Sequence, residues 1–243
     1  MTKYLLGCLF ALLLLPTTGW GAISKIASVS AGSPDTNGFT TGAMDTTTAN
    51  LIVCGLGQGG GSPTSVVTDS KSNTWSTLTV YTHATGMTST LVYAINPTVG
   101  AGHTFTVTQN GAAAAIGCIA FSGAKTTAPF DVENGVANTV SGTSLATGSV
   151  ATAVGAVAVT VFSNNVNTSA EAIDNGFIFE TFVEFAAGQH FTSGVAYKLN
   201  PGTVNPTWSW TTSARSTVAI ASFLEGATPT LGQVGMDGSL EDY

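Results

Sequence analysis

The sequence predicts an all-β chain, an antiparallel β-sandwich of jelly-roll-like kind built from two sequence-related halves. Three observations lead there. No segment carries a sustained apolar repeat of about 3.6 residues, the mark of an amphipathic helix. Short runs rich in Val, Thr, Ile, Phe, Tyr and Trp recur instead, bounded by Gly, Asn, Asp or Pro. The later part of the chain also repeats the pattern of the earlier part.

The candidate strands are Ile23 to Ser30, Leu51 to Leu56, Ser65 to Thr68, Thr74 to Thr82, Ser89 to Ile95, Thr104 to Gln109, Ala114 to Phe121, Gly155 to Phe162, Gly176 to Phe185, Phe191 to Leu199, Thr207 to Thr212 and Ser216 to Leu224. Asn-Gly pairs at Asn37-Gly38, Asn110-Gly111, Asn134-Gly135 and Asn175-Gly176 supply the positive backbone angles of tight hairpin turns. The glycine-rich stretch Gly55 to Gly61 lacks the lysine and following helix of a phosphate loop and reads as a flexible loop.

The repeat is carried by Tyr93 with Asn96-Pro97, which recurs as Tyr197 with Asn200-Pro201. Thr104 to Ala124 then aligns without gaps to Thr207 to Ala227, matching Phe105 with Trp208 and Val107 with Trp210. The halves run over about 49–124 and 155–227, joined by a Thr/Ser/Gly/Ala-rich crossing loop with short strands. Each half owns an apolar face, and packing the two faces together makes one double-layered sandwich over 22–227. Two separate small domains are the alternative.

Residues 1–21 read as a secretory signal: Lys3, the apolar run Leu5 to Leu15, then Pro16 and the small residues Gly19 and Gly21. That run is shorter than the roughly 20 apolar residues of a membrane span, so a secreted or extracellular chain without a span is expected. Residues 228–243 read as a flexible acidic tail. Charged residues are 8% of the chain, against roughly 25% in ordinary globular proteins. Removing the signal leaves five basic residues against thirteen acidic ones, which argues against a nucleic-acid partner. Cys54 and Cys118 each sit in an apolar run, and read either as a disulfide or as two small buried hydrophobes. Neither has a second Cys or a His at metal-ligand spacing.

Several features together resemble a family of jelly-roll-like β-sandwich modules of bacterial secreted proteins and of phage tail or virion proteins. They are Leu51-Ile52-Val53, Val66-Val67-Thr68-Asp69 followed by Asn73-Thr74-Trp75, Leu91-Val92-Tyr93, Ala101-Gly102 before Thr104 to Thr108, and Ile119-Ala120-Phe121-Ser122-Gly123-Ala124. Ser72 stands where the pattern has a turn glycine. The resemblance implies a non-catalytic module, adhesive, glycan-binding or part of a surface assembly, and carries over no functional residues.

Candidate chemistry is sparse. His83, His103 and His190 lie in separate segments, and nothing in the sequence sets a carboxylate and a nucleophile beside any of them. Asp131 with Glu133, and Glu180 with Glu184, have the spacing that puts both carboxylates on one side of a strand, as a glycosidase pair requires, though a solvated sheet face is the commoner result. Asp69 with Ser70 and Asn73 fits either a calcium ligand set or a strand-joining turn, with the turn favoured. Trp208, Trp210 and Trp75 are the candidate ligand-binding aromatics; the repeat counterparts Phe105 and Val107 point instead to a core-facing row. No cofactor is expected. The readings that follow are a surface, adhesive or assembly protein, with glycan or cell-surface ligands and self-association through sheet edges as its partners; a carbohydrate-binding module; and a hydrolase or lyase.

Overall fold

The computed structural model describes residues 22–35, 37–60, 66–108, 111–185 and 190–226. The expected signal at 1–21 and tail at 228–243 lie outside the described residues, as does Asn110 of one Asn-Gly pair. In chain order the strands are β1 (Ser24–Ser33), β2 (Phe39–Thr40), β3 (Leu51–Gly59), β4 (Val66–Asp69), β5 (Ser76–Thr77), β6 (Tyr81–Thr82), β7 (Thr88–Ile95), β8 (Phe105–Thr108), β9 (Ala113–Ser122), β10 (Phe130–Ala137), β11 (Gly142–Ala146), β12 (Val150–Ala151), β13 (Val157–Asn164), β14 (Ala172–Ile173), β15 (Ile178–Phe185), β16 (Phe191–Leu199), β17 (Thr203–Val204), β18 (Thr207–Ala214) and β19 (Ser216–Phe223). Among the described residues there is no helix, and the chain is all-β as the sequence predicts.

Two large antiparallel sheets dominate, ordered β1-β9-β3-β7-β5 with β6 also on β7, and β10-β19-β13-β16-β15. Each carries a three-stranded sheet on its outer side, β2-β8-β4 and β11-β18-β14 respectively. The large sheets follow corresponding paths. Val53 lies between Tyr93 and Ile119, as Val159 lies between Tyr197 and Ala221. Asn96 and Asn200 both turn left-handed, at φ 45° and 50°, and donate their N–H groups to the carbonyls of Asn50 and Ala156. Leu51 opposes Phe121 and Val157 opposes Phe223, so Phe121 corresponds to Phe223, one position away from the ungapped sequence match. The one-residue connection at Arg215 between β18 and β19, shorter than that between β8 and β9, absorbs the shift.

The expected double layer becomes four layers. The inner faces of the large sheets do meet, with β3 across β13, β7 across β19 and β9 across β16. Leu51, Val53, Leu91, Ile119, Phe121, Val157, Val159, Tyr197 and Phe223 fill that contact. The outer faces are equally apolar and are covered by the small sheets: Phe105, Val107 and Val67 pack on Ile52, Cys54, Ile116 and Cys118, and Trp208 and Trp210 pack on Phe162, Val218 and Ile220. Every residue of β3, β13 and β19 is buried. A strand covered on both sides reads as a continuous apolar run rather than an alternation, and Leu51-Ile52-Val53-Cys54 and Val157-Ala158-Val159 are such runs.

The glycine-rich stretch is strand, not a flexible loop, through Gly59. Gly55 and Gly57 lie on the inner face of β3, where a Cβ on Gly55 would stand 2.6 Å from Val195 Cγ2 and one on Gly57 would collide with Ser163 Oγ. A Cβ on Gly117 of β9 would likewise stand 2.8 Å from Val195 Cγ2. Absent side chains let the second sheet approach. The contact therefore grades from large apolar residues at one end, through glycines opposite valines, to a buried hydroxyl cluster in which Ser89 Oγ lies 3.0 Å from Ser163 Oγ and 2.8 Å from Thr217 Oγ1. Of the Asn-Gly pairs, one departs from expectation and one follows it. Asn134-Gly135 lies inside β10 rather than at a hairpin tip, because Gly135 seats the ring of Tyr81. Asn175-Gly176 is a turn, with φ 58° and 72°.

Replacing Gly57 by Ala is expected to destabilise the protein by about 1–3 kcal/mol through overpacking. Gly42→Ala, where the nearest atom to an added Cβ is Val29 Cγ2 at 4.0 Å, should stay within about 0.5 kcal/mol. Urea denaturation of both variants measures the difference, and equal midpoints would count against a glycine-set spacing.

Candidate functional site

Asp69 is the best-connected polar side chain in the structure. It ends β4, and its Oδ1 accepts the backbone N–H of Lys71 at 2.7 Å, while Trp75 Nε1–H donates to Oδ2 at 2.8 Å. Asn73 extends the network by accepting Thr98 N–H at 2.6 Å and donating to Thr98 O at 3.1 Å. A carboxylate that accepts from the backbone two residues on is how Asp closes a turn on itself. Ser72 completes that turn at φ 59°, the conformation for which glycine is the usual choice. The Asp69 oxygens are thus occupied by N–H donors, which is the turn arrangement rather than a calcium site.

His103, two residues before β8, has a carboxylate and a hydroxyl beside it that no spacing in the sequence indicates. Its Nε2 approaches Asp69 Oδ1 to 3.2 Å, its Nδ1 lies 2.9 Å from Thr46 Oγ1, and its ring stacks on Phe105 at 4.6 Å. The Nε2 approach to the carboxylate lacks hydrogen-bond geometry, and the Thr46 hydroxyl stands between His103 Nδ1 and Gly100 O, the latter 3.2 Å away. Sequence reading missed this because the three residues are brought together only by the loops before β3, after β4 and before β8. Yet the His103 and Asp69 side chains are both 0% exposed. Thr46 Oγ1 is further engaged by Gly100 N–H at 3.1 Å. The three side chains join the end of β4 to the loops before β3 and before β8. His83 is similarly local, with Nδ1 accepting Thr85 N–H at 3.1 Å.

Both carboxylate pairs are split by β-bulges. The register of β10 slips between Phe130 and Glu133. Asp131 then accepts Ala153 N–H and the Ser222 hydroxyl, while Glu133 accepts Thr79 N–H and Oγ1–H from the other large sheet. The register of β15 slips between Phe179 and Thr181. Glu180 turns toward β1, where it takes Lys25 and Ser28, and Glu184 stays exposed. An extra residue in a strand reverses the facing of everything beyond it, so neither pair forms the same-side arrangement. Burial raises the phenol of neighbouring Tyr197, and the Glu180 charge raises it further, against Lys25.

Two of the three candidate aromatics are internal. Trp208 is 0% exposed with its N–H on Thr160 Oγ1 at 3.1 Å, and Trp210 donates to Gly142 O at 2.9 Å. Trp75 is half-buried edge-on against Phe105. Trp208 and Trp210 present no free face for a sugar ring, because the small sheet needs large side chains to fill the outer core, whereas Trp75 keeps part of its surface exposed. Cys54 and Cys118 oppose each other on β3 and β9 and are joined by a disulfide. Thr160 and Ile220 occupy the corresponding pair in the second large sheet.

A pocket of about 290 Å³ opens at the glycine end of the sheet contact. Gly59, Thr85 and Met87 line it from one large sheet and its loops, and Asn165, His190 and Arg215 from the other. Sequence reading passed over these residues, since no spacing joins them. The available signal was compositional: Arg215 is the only arginine in the chain.

No family model, no curated protein and no solved structure matches the chain.

Asp69→Ala should cost about 3 kcal/mol in urea denaturation, because it leaves the Trp75 N–H and the Lys71 N–H without their acceptor. Reducing the disulfide, whose cysteines are 64 residues apart, should cost about 3–4 kcal/mol in the same assay. A midpoint unmoved by either change would show that these links are incidental.

Proposed function

We propose that this chain is an exported, non-catalytic β-sandwich protein with a surface, adhesive or assembly role, and that it associates with copies of itself through the edge of its second large sheet. One observation carries the reading. Among the edges of the large sheets, β1 and β10 are half-buried along nearly their whole length and β5 and β6 are two-residue strands, whereas β15 is an eight-residue edge strand that exposes the apolar side chains of Ile178, Phe179 and Phe182. Soluble sheets usually guard such an edge with lysine, proline or covering chain. Here the guard is Glu184 alone, since Glu180 is taken by Lys25 and Ser28. Two β15 strands meeting about a twofold axis pair antiparallel and continue the sheet. The buried disulfide supports export to an oxidising compartment, and the commitment of the Asp69, His103 and Thr46 side chains to loop contacts supports a non-catalytic role. The jelly-roll-like modules that the sequence resembles fit the same reading.

Light scattering of residues 22–243 at micromolar concentration tests it. A dimer or larger particle is expected, and Phe182→Glu should return it to monomer without lowering the denaturation midpoint by more than about 1 kcal/mol. A strictly monomeric parent chain overturns the assembly role.

A further inference from the structure

The pocket at the end of the sheet contact holds the chain's one guanidinium in an arrangement that suits a ligand better than it suits the fold. Arg215 occupies the single-residue corner between β18 and β19. Its backbone is clamped from both sides: Arg215 N–H donates to Asn165 Oδ1 at 2.9 Å, and Asn165 N–H donates to Arg215 O at 3.2 Å. The side chain is thereby projected from a fixed point. Among the described residues, no carboxylate pairs with it. The chain has thirteen acidic residues to six basic ones, so a carboxylate partner is not lacking for want of acids. The exposed ring of His190 and the hydroxyl-bearing Thr85 stand in the same pocket, and Met87 and Phe191, both buried, give it an apolar floor.

A guanidinium recognises a carboxylate through two parallel N–H···O bonds. A pocket of about 290 Å³ is at the small end for ligand sites and admits one ring-sized molecule. Hydroxyl and amide groups on the rim, with an apolar floor, suit a polyhydroxylated ring that has one less polar face. We infer that this pocket binds a carboxylate-bearing monosaccharide unit, with Arg215 as its carboxylate anchor and His190, Asn165 and Thr85 contacting its hydroxyls. The inference is independent of self-association, because β15 does not line the pocket.

Calorimetric titration of residues 22–243 with glucuronate and with N-acetylneuraminate tests it, with glucose and inorganic phosphate as comparisons. Saturable binding of at least one sugar acid is expected, weakened about tenfold or more by Arg215→Gln and also weakened by Ala112→Leu, which narrows the pocket from its opposite wall without altering charge. An unchanged melting curve for Arg215→Gln, whose side chain is exposed, separates lost binding from lost fold. Absence of saturable binding of both sugar acids overturns the inference. So does equal affinity for glucose, equal affinity for phosphate, or an affinity that neither substitution changes.

Discussion

The face-to-face contact of the two large sheets is the constraint on which the rest of the structure depends. It joins parts of the chain about a hundred residues apart, and it works because the two surfaces are complementary in size along the strands. At one end Phe121, Tyr197 and Phe223 interlock. In the middle Gly55 and Gly117 make room for Val161 and Val195. Beyond them Gly57 faces the hydroxyls of Ser163 and Ser193. Close-packed interiors tolerate neither voids nor surplus methylenes, so a glycine row on one sheet obliges side chains of matching size on the other. With the inner faces sealed, the outer faces of the same strands still present Ile52, Ile116, Phe162 and Ile220, which the small sheets cover. Four layers follow from two double-sided sheets.

Low charge shapes how the loops are held. With few ion pairs available, the described chain relies on hydroxyl, amide and carboxylate networks closed over backbone groups. Asp69 links β4, the Trp75 ring and the loop that carries His103, while Asn50 pairs with both the N–H and the carbonyl of Ala124. Lys25 and Glu180 make the one lysine–carboxylate pair among the described residues, and they join one large sheet to the other. In a buried site each such group is costly to leave unpaired, and Asp69, His103 and Thr46 are drawn together where the end of β4 meets two loops. Arg215, its backbone held by Asn165 and its side chain without a carboxylate partner among the described residues, lies where the sheet contact opens to solvent.

Some of this was legible in particular residues and some was not. Tyr93 with Asn96-Pro97 and Tyr197 with Asn200-Pro201 marked corresponding strand ends, and the left-handed asparagines explain why that dipeptide recurs. Phe105 and Trp208 were readable as core-facing by comparison with each other. The carboxylate pairs were misread because a bulge costs no distinctive residue, so Asp131-Val132-Glu133 looks the same with or without one. Gly55 to Gly59 was misread because glycine serves both loops and close strand approaches, and only the facing sheet distinguishes them.

By itself the sequence determined that the chain is all-β, where most long strands lie, and that each half owns an apolar face. Those properties depend on neighbours along the chain: β-branched and aromatic runs, Asn-Gly turns, and apolar periodicity. Tertiary structure decided the number of layers, the register of β9 and β19, the burial of His103 between Asp69 and Thr46, and the meeting of Arg215 with His190 and Thr85. Each of these depends on residues far apart in sequence reaching the same point in space, and no local preference encodes a distance between two sheets.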